Sequence, residues 1–274
     1  IIRSGEVRVN KGRARQTTRL ATGDVVRIPP IRTSESEAPP VVSSGLTERL
    51  SRACIYEDDQ LFIFNKPAGL AVHGGSGVSL GLIEALRVIH PEEKEMELVH
   101  RLDRDTSGLI MVARKRAFLR KLQRLMQAGQ IEKRYWLLCQ GFKGKERTME
   151  APLLKMQNGN ERIVRVSREG KASVTHFRML ERLADAQLVE ATLETGRTHQ
   201  IRVHSQFGGF PLLGDDKYGT DKGAALLASI GHKRLCLHAR TLVFPHPNTG
   251  KKLTITAPLD EDFEAILKTL RGAR

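Results

Sequence analysis

The densest run of reactive side chains is His100-Arg101-Leu102-Asp103-Arg104-Asp105-Thr106-Ser107-Gly108. Guanidinium groups on both sides of Asp103 favour a charged carboxylate there. Such a group, held in a cleft, can act as a nucleophile or a base. The same run also describes an ion-paired turn closed by Thr106-Ser107-Gly108. A second cluster is Thr195-Gly196-Arg197-Thr198-His199-Gln200-Ile201-Arg202-Val203-His204, expected to open a short helix with Thr198 as N-cap. His199 and His204 stand five apart, which is not the spacing of a helical metal pair. No Cys-x-x-Cys accompanies them, so no metal site is expected. Asp103 and Asp105 resemble a Mg²⁺-binding pair, but Arg101 and Arg104 would compete with the cation. Third, Lys133-Arg134-Tyr135-Trp136 sets two cations beside two rings. That arrangement suits phosphate binding with base stacking. It equally suits a strand with one ring in the core and one outside.

The elements around these clusters follow from periodicity. Leu61 to Phe64 is a buried-strand run that breaks at Asn65-Lys66-Pro67-Ala68-Gly69, and Leu109 to Ala113 is another such strand. An amphipathic helix comes next, with Phe118, Leu122, Leu125 and Met126 on one face and Arg116, Arg120 and Arg124 on another; Gly129 can end it. Strands are expected at Arg134–Gln140, 174–180, 188–193, 236–244 and 253–256, and a final helix near 260–270. Near the N-terminus, Glu6 to Val9 and Val25 to Ile28 read as short strands around a turn at Asn10-Lys11-Gly12. Residues 33–48 are rich in Ser, Glu and Pro, a linker composition that puts a domain boundary there. Strands in hairpin-like succession with few helices predict an α+β fold built mainly on an antiparallel sheet.

Composition narrows the partners. The 274 residues carry 45 Lys and Arg against 31 Asp and Glu, a net charge of +14, which favours a polyanion. Residues 1–34 hold eight basic residues against Glu6 and Asp24, and residues 101–124 hold eight against Asp103 and Asp105. Two such regions suit a protein that tracks a phosphate backbone. No apolar run reaches the roughly 18 residues of a membrane span. Cys54, Cys139 and Cys236 are an odd, dispersed set, which argues against a secreted disulfide framework and for a reducing cytoplasm. The chain opens on Ile1-Ile2-Arg3 without Met, which leaves room for an upstream segment.

His100-Arg101-Leu102-Asp103 with Thr106-Ser107-Gly108 closely resembles the signature loop of the RluA family of pseudouridine synthases. Further segments fit in order: Asn65 to Gly69 with Val72-His73, Lys133-Arg134-Tyr135, Gly196 to His204, Gly214-Asp215-Asp216-Lys217-Tyr218-Gly219, Leu237-His238-Ala239 and Phe244-Pro245-His246-Pro247. The resemblance covers residues 52–274. Residues 4–10 and 23–26 resemble the second half of an S4 RNA-binding domain.

The resemblance implies a pseudouridine synthase catalytic domain at 52–274, a linker at 33–51 and a partial S4-like domain at 1–32. It implies that Asp103 initiates breakage of the uridine N1–C1′ bond, that Tyr135 stacks on the base, and that Arg202 pairs with Asp103, with Arg197 the lesser candidate. Arg101 would fill the gap left by the flipped nucleotide or hold its phosphate. Arg104, Arg197, Arg8 and Lys11 are further expected RNA contacts. Asp105 is read as a loop residue, and His100 and His199 as residues that fix loops. No cofactor and no metal are implied. The implied substrate is 23S ribosomal RNA; a monomer is the default expectation, and the cysteines favour the cytoplasm. Two other readings stand beside this one: a catalytically silent RNA-binding assembly factor, and a metal-dependent phosphodiesterase using Asp103 and Asp105.

Overall fold

The structure, a computed structural model, describes residues 2, 4–30, 41–74, 80–158 and 161–272. The chain divides into two compact units, Ile1–Pro40 and Val41–Arg274. In the first, β1 (Arg8–Val9), β2 (Gly12–Arg13) and β3 (Val26–Arg27) form a small antiparallel sheet in the order β2-β1-β3. Asn10 and Lys11 have φ of 50° and 72°, the backbone of a two-residue hairpin turn. Arg8 is half-buried and its Nη1 donates to the Lys11 carbonyl; the Lys11 side chain is exposed.

The second unit runs α1 (Ser44–Arg52), β4 (Cys54–Glu57), β5 (Leu61–Lys66), α2 (Leu82–Ile89), β6 (Glu97–Leu98), β7 (Ser107–Ala113), α3 (Arg116–Gln127) and β8 (Glu132–Cys139). It continues with β9 (Glu146–Glu150), β10 (Leu153–Asn158), β11 (Glu161–Val166), β12 (Val174–Arg182), β13 (Gln187–Leu193), α4 (Gln200–Phe207), α5 (Asp221–Ser229), β14 (Leu237–Pro245), β15 (Lys252–Thr256) and α6 (Glu261–Gly272). Strands β10 and β11 form a separate hairpin. The main sheet is ordered β4-β5-β7-β14-β8-β13-β12-β9, with β15 also on β14 and β6 on β7. Among the described residues its pairings are antiparallel except β7 with β14, which run parallel. The expected α+β architecture is thus a mixed, mainly antiparallel sheet with six described helices.

Helices cover both faces of the central strands, which is why β5 and β7 are apolar at nearly every position rather than at alternate ones. Phe62, Phe64, Ile110 and Val112 pack with α2 on one face. Leu61, Ile63, Leu109 and Met111 pack with Phe118 and Leu122 of α3 on the other. Beside that second cluster, Phe263, Ile266 and Leu267 of α6 meet Leu138, Leu188 and Cys236. Cys139 and Cys236 are buried, and Cys54 is half-buried.

Three expectations need correction. The linker expected at 33–51 is helical over its last residues. Ser43 Oγ caps α1 by accepting from the Leu46 amide, and Leu50, one turn after Leu46, is wholly buried. Ser43 is a capping residue, which composition alone cannot separate from a linker serine. Residues 33–40 of that linker lie outside the described residues. Second, β5 does not break at Asn65. It runs on through Lys66, which pairs with Gly108, because Pro67 is the first residue unable to donate to the ladder. Third, the N-cap of α4 is His199, not Thr198. His199 takes a left-handed φ of 53° and the helix has no side-chain cap hydrogen bond; the Gln200 side chain instead reaches back to accept the Arg197 amide.

Candidate active site

Asp103 lies on the loop that enters β7, and that loop is tied down at several points. Upstream, His100 Nε2 accepts the Met111 amide at 3.2 Å. Within it, the Thr106 amide donates to the Asp103 carbonyl. From below, the fully buried Lys66 ammonium donates to the carbonyls of Pro67, Leu70 and Arg104 at 2.9, 2.8 and 2.9 Å. Burial pushes Lys66 down to about 7. Downstream, Ser107 Oγ sits 2.9 Å from His238 Nδ1 and accepts from Arg234, which is itself paired with Asp260.

Gly108 completes the fixing. At φ 107° it lets β7 press directly on β14, and a Cβ there would overlap the Ala239 backbone. Lys66, Ser107 and Gly108 lie in the family-like motifs, but nothing in their local sequence signals their task. Their partners are 131 residues away for Ser107 and 38 for Lys66.

Oδ2 of Asp103 faces the first turn of α4. Arg202 Nη1 donates to it at 3.3 Å, and His199 Nε2 stands 3.9 Å away. Arg202 is buried, and its firmer hold is on Asp215: Nε and Nη2 each donate to one carboxylate oxygen at 2.7 Å. The Lys217 and Tyr218 amides also donate to Asp215, both at 3.0 Å. Burial works to raise the Asp215 carboxyl, but Arg202 and these amides hold it below the usual carboxylate range. Gly214, at φ 68°, permits this turn, since a Cβ would run into the Arg234 carbonyl. Asp215 was not among the expected site residues. The signal was present in the Gly214–Gly219 motif, but a Gly-Asp-Asp turn has many structural uses.

Tyr135 is buried on β8, between Ala191 and Ala239 of the neighbouring strands. Burial and the nearby Asp103 charge raise its phenol. Trp136 points to the opposite face, with the Arg240 guanidinium 4.7 Å from its ring centre, so strand alternation separates the two rings. Two cavities meet at the carboxylate. One, of about 1110 Å³, is lined on its far side by Met156, Ile163 and Val164 of the β10–β11 hairpin; the other, of about 290 Å³, is lined by Tyr135 and Leu237. Arg101, Leu102, Asp103, Thr198, His199 and Arg202 form the wall common to both.

The structure therefore brings Asp103, Tyr135, Arg202 and Arg101 together. Arg101 is exposed on the shared wall. Arg197, also exposed, lines the smaller cavity and donates through Nε to the Ala172 carbonyl at 3.4 Å. Arg104 lines the larger cavity but is engaged by Asp105 at 2.9 and 3.2 Å. That bidentate pair leaves Asp105 a poor cation ligand. Among the described residues no three His, Cys, Asp or Glu side chains gather as a metal site. Arg8 and Lys11 belong to the other compact unit.

A loop aspartate, a guanidinium beside it and a tyrosine lining the adjoining cavity thus converge on one cleft. Comparison with known proteins gives its class. The family model for RNA pseudouridylate synthases matches residues 60–207, and the chain belongs to that family. It is 49% identical over 281 residues to ribosomal large subunit pseudouridine synthase C of Escherichia coli (strain K12), across 100% of this chain and 88% of that protein. It is 47% identical over 274 residues to the synthase C of Pasteurella multocida, across 99% of this chain and 84% of that one. Among solved structures, human RNA pseudouridylate synthase domain containing 4 superposes with a TM-score of 0.70 at 27% identity, covering 83% of this chain and 96% of that one.

Proposed function

We propose that this chain converts uridines to pseudouridine in large-subunit ribosomal RNA, with Asp103 as the catalytic carboxylate. The relatives' activity supports the substrate. The observation that carries the site is the position of Asp103 on the wall shared by the two cavities, beside Arg202 and facing the space that Tyr135 lines.

A uridine inside a helix cannot reach a carboxylate at the back of such a cleft, so the base leaves its stack at a cost of roughly a few kcal/mol. Arg101 fills the gap or holds the displaced phosphate. The Tyr135 ring stacks against the uracil. Asp103 initiates cleavage of N1–C1′, the freed uracil turns within the pocket, C5 bonds to C1′, the C5 proton departs and N1 gains one. Product and substrate are isomers, so no water is consumed. Glycoside hydrolases, which do consume water, use two carboxylates; here the neighbouring Asp105 is held by Arg104. Arg8 and Lys11, on a unit that resembles part of an S4 domain, add phosphate contacts. The enzyme acts as a monomer in the cytoplasm.

The test uses unmodified 23S rRNA transcript labelled with tritium at uracil C5. Forming C5–C1′ expels that tritium into water. Wild type releases it with or without EDTA, Asp103→Ala releases none while still binding RNA, and Tyr135→Phe, which keeps the stacking ring but lacks a hydroxyl to pass a proton, binds normally but turns over more slowly. Undiminished release by Asp103→Ala would overturn the assignment.

A further inference from the structure

Tyr218 joins three elements that the proposed reaction leaves unexplained. Its ring is buried, its hydroxyl accepts the Val164 amide of β11 at 3.0 Å, and the same hydroxyl lies 2.8 Å from His199 Nδ1. An amide N–H can only donate, so it occupies a lone pair of the phenolic oxygen. Among the described residues His199 Nδ1 is the hydroxyl's only other partner. If Nδ1 carried the proton, the buried O–H would have no acceptor, at a cost of a lost hydrogen bond. The hydroxyl therefore donates to Nδ1. Burial also lowers the affinity of His199 for a second proton. A neutral imidazole whose Nδ1 accepts must carry its hydrogen on Nε2. That nitrogen is the one 3.9 Å from Asp103 Oδ2.

The backbone is shaped for the same end. His199 holds a left-handed φ of 53° at the N-cap of α4, and Arg202 follows three residues later. One helical turn thus presents both an N–H of His199 and the Arg202 guanidinium to a single oxygen of Asp103. Oδ1 has no hydrogen bond among the described residues and is the oxygen left to face substrate.

We propose that His199 is a positioning residue for Asp103, and that Tyr218, anchored by the Val164 amide, sets its tautomer so that Nε2–H points at Oδ2 and leaves Oδ1 to react. This rests on Asp103 being the catalytic carboxylate. At 3.9 Å the contact is longer than a hydrogen bond, and contacts of this kind commonly tighten when substrate fills the site.

Full-length protein labelled with ¹⁵N at histidine tests the tautomer directly by long-range ¹H–¹⁵N correlation, with His199 assigned from the spectrum of His199→Asn. Wild type should show Nε2 protonated and Nδ1 as acceptor, and Tyr218→Phe should lose that bias. Kinetics supply the second readout. Asn tolerates left-handed φ, and its amide reaches only the Nδ1 position, so His199→Asn folds but presents nothing to Asp103. Its kcat for tritium release should fall roughly tenfold to a hundredfold, the worth of one hydrogen bond to a charged group, with KM for RNA unchanged. His199→Gln, whose amide reaches the Nε2 position, should recover part of that loss. A wild-type His199 protonated on Nδ1, or a His199→Asn with full kcat beside an inactive Asp103→Asn, overturns the proposal alone. Activity surviving in Asp103→Asn overturns the catalytic assignment and this inference with it.

Discussion

Arg202 is divided between two carboxylates: Asp215 accepts two of its N–H groups at 2.7 Å, while Nη1 reaches Asp103 at the longer 3.3 Å. The buried Asp215 is therefore the anchor, and Asp103 is the group being served. A guanidinium gripped at both ends of its fork cannot swing, so its third nitrogen arrives at Asp103 in one orientation.

Replacing Asp215 with Asn keeps the shape and removes the anchoring charge. Breaking a buried pair leaves the other charge uncompensated, at about 3–5 kcal/mol. Asp215→Asn should show that loss in urea denaturation. Its turnover in tritium release should fall further than its RNA affinity, because the carboxylate it orients is the one proposed to react rather than to hold the RNA.

Gly108→Ala should be damaging although it adds one methyl group. The new Cβ would meet the Ala239 backbone, and φ 107° is strained for any side chain. Separating β7 from β14 moves the loop that bears Asp103. A cost of at least about 2 kcal/mol is expected, read as a lowered Tm, with activity lost even at temperatures where the variant remains folded.

His238 makes stability fall in mild acid. Burial pushes it down to about 4 from an ordinary value of 6.5. Between these two values the unfolded chain takes up a proton that the folded chain refuses, so stability rises with pH across this window. The full contribution is present above 6.5, and about 3 kcal/mol is lost as pH falls to 4. Urea titrations at several pH values check this. The slope in that window should flatten by up to one proton in His238→Gln.

The outer face of α3 offers a measure of how RNA is held. Arg116, Arg120 and Arg124 are exposed, and successive members are separated by about 6 Å of helix rise. If they neutralise phosphates, replacing all three with Gln should reduce the slope of log K against log salt by about 2. Filter binding at several salt concentrations reads the slope, and an unchanged value would mark this stripe as merely solvated.

Much of the scaffold was readable from local pattern. The cores of β5 and β7 showed as apolar runs, and α3 showed in the spacing of Phe118 and Leu122, because those signals arise from neighbours along the chain. Asp103, Tyr135 and Arg202 could be singled out by residue type and family resemblance, and they do converge. Lys66, Asp215 and Tyr218 could not be given tasks in the same way. A lysine before a proline looks like a strand end until the Arg104 carbonyl is seen above it. A tyrosine in a glycine-bounded turn looks like packing until Val164 and His199 are found at its hydroxyl. The helix at Ser44 was hidden for the opposite reason, since serine marks both caps and linkers.

The parallel contact between β7 and β14 has a consequence for how the enzyme comes into being. Ser107 and Gly108 meet His238 and Ala239 only after some 130 further residues have been made, and those intervening residues include Arg202, Asp215 and Tyr218. During synthesis the aspartate loop therefore leaves the ribosome long before the strand that braces it. Pairings so distant in sequence form late and slowly. The nascent chain can collapse its N-terminal strands early, but it has no working centre until nearly all of it has emerged. A shortened product of interrupted translation that ends before β14 is thus a basic chain without the strand that braces its aspartate loop.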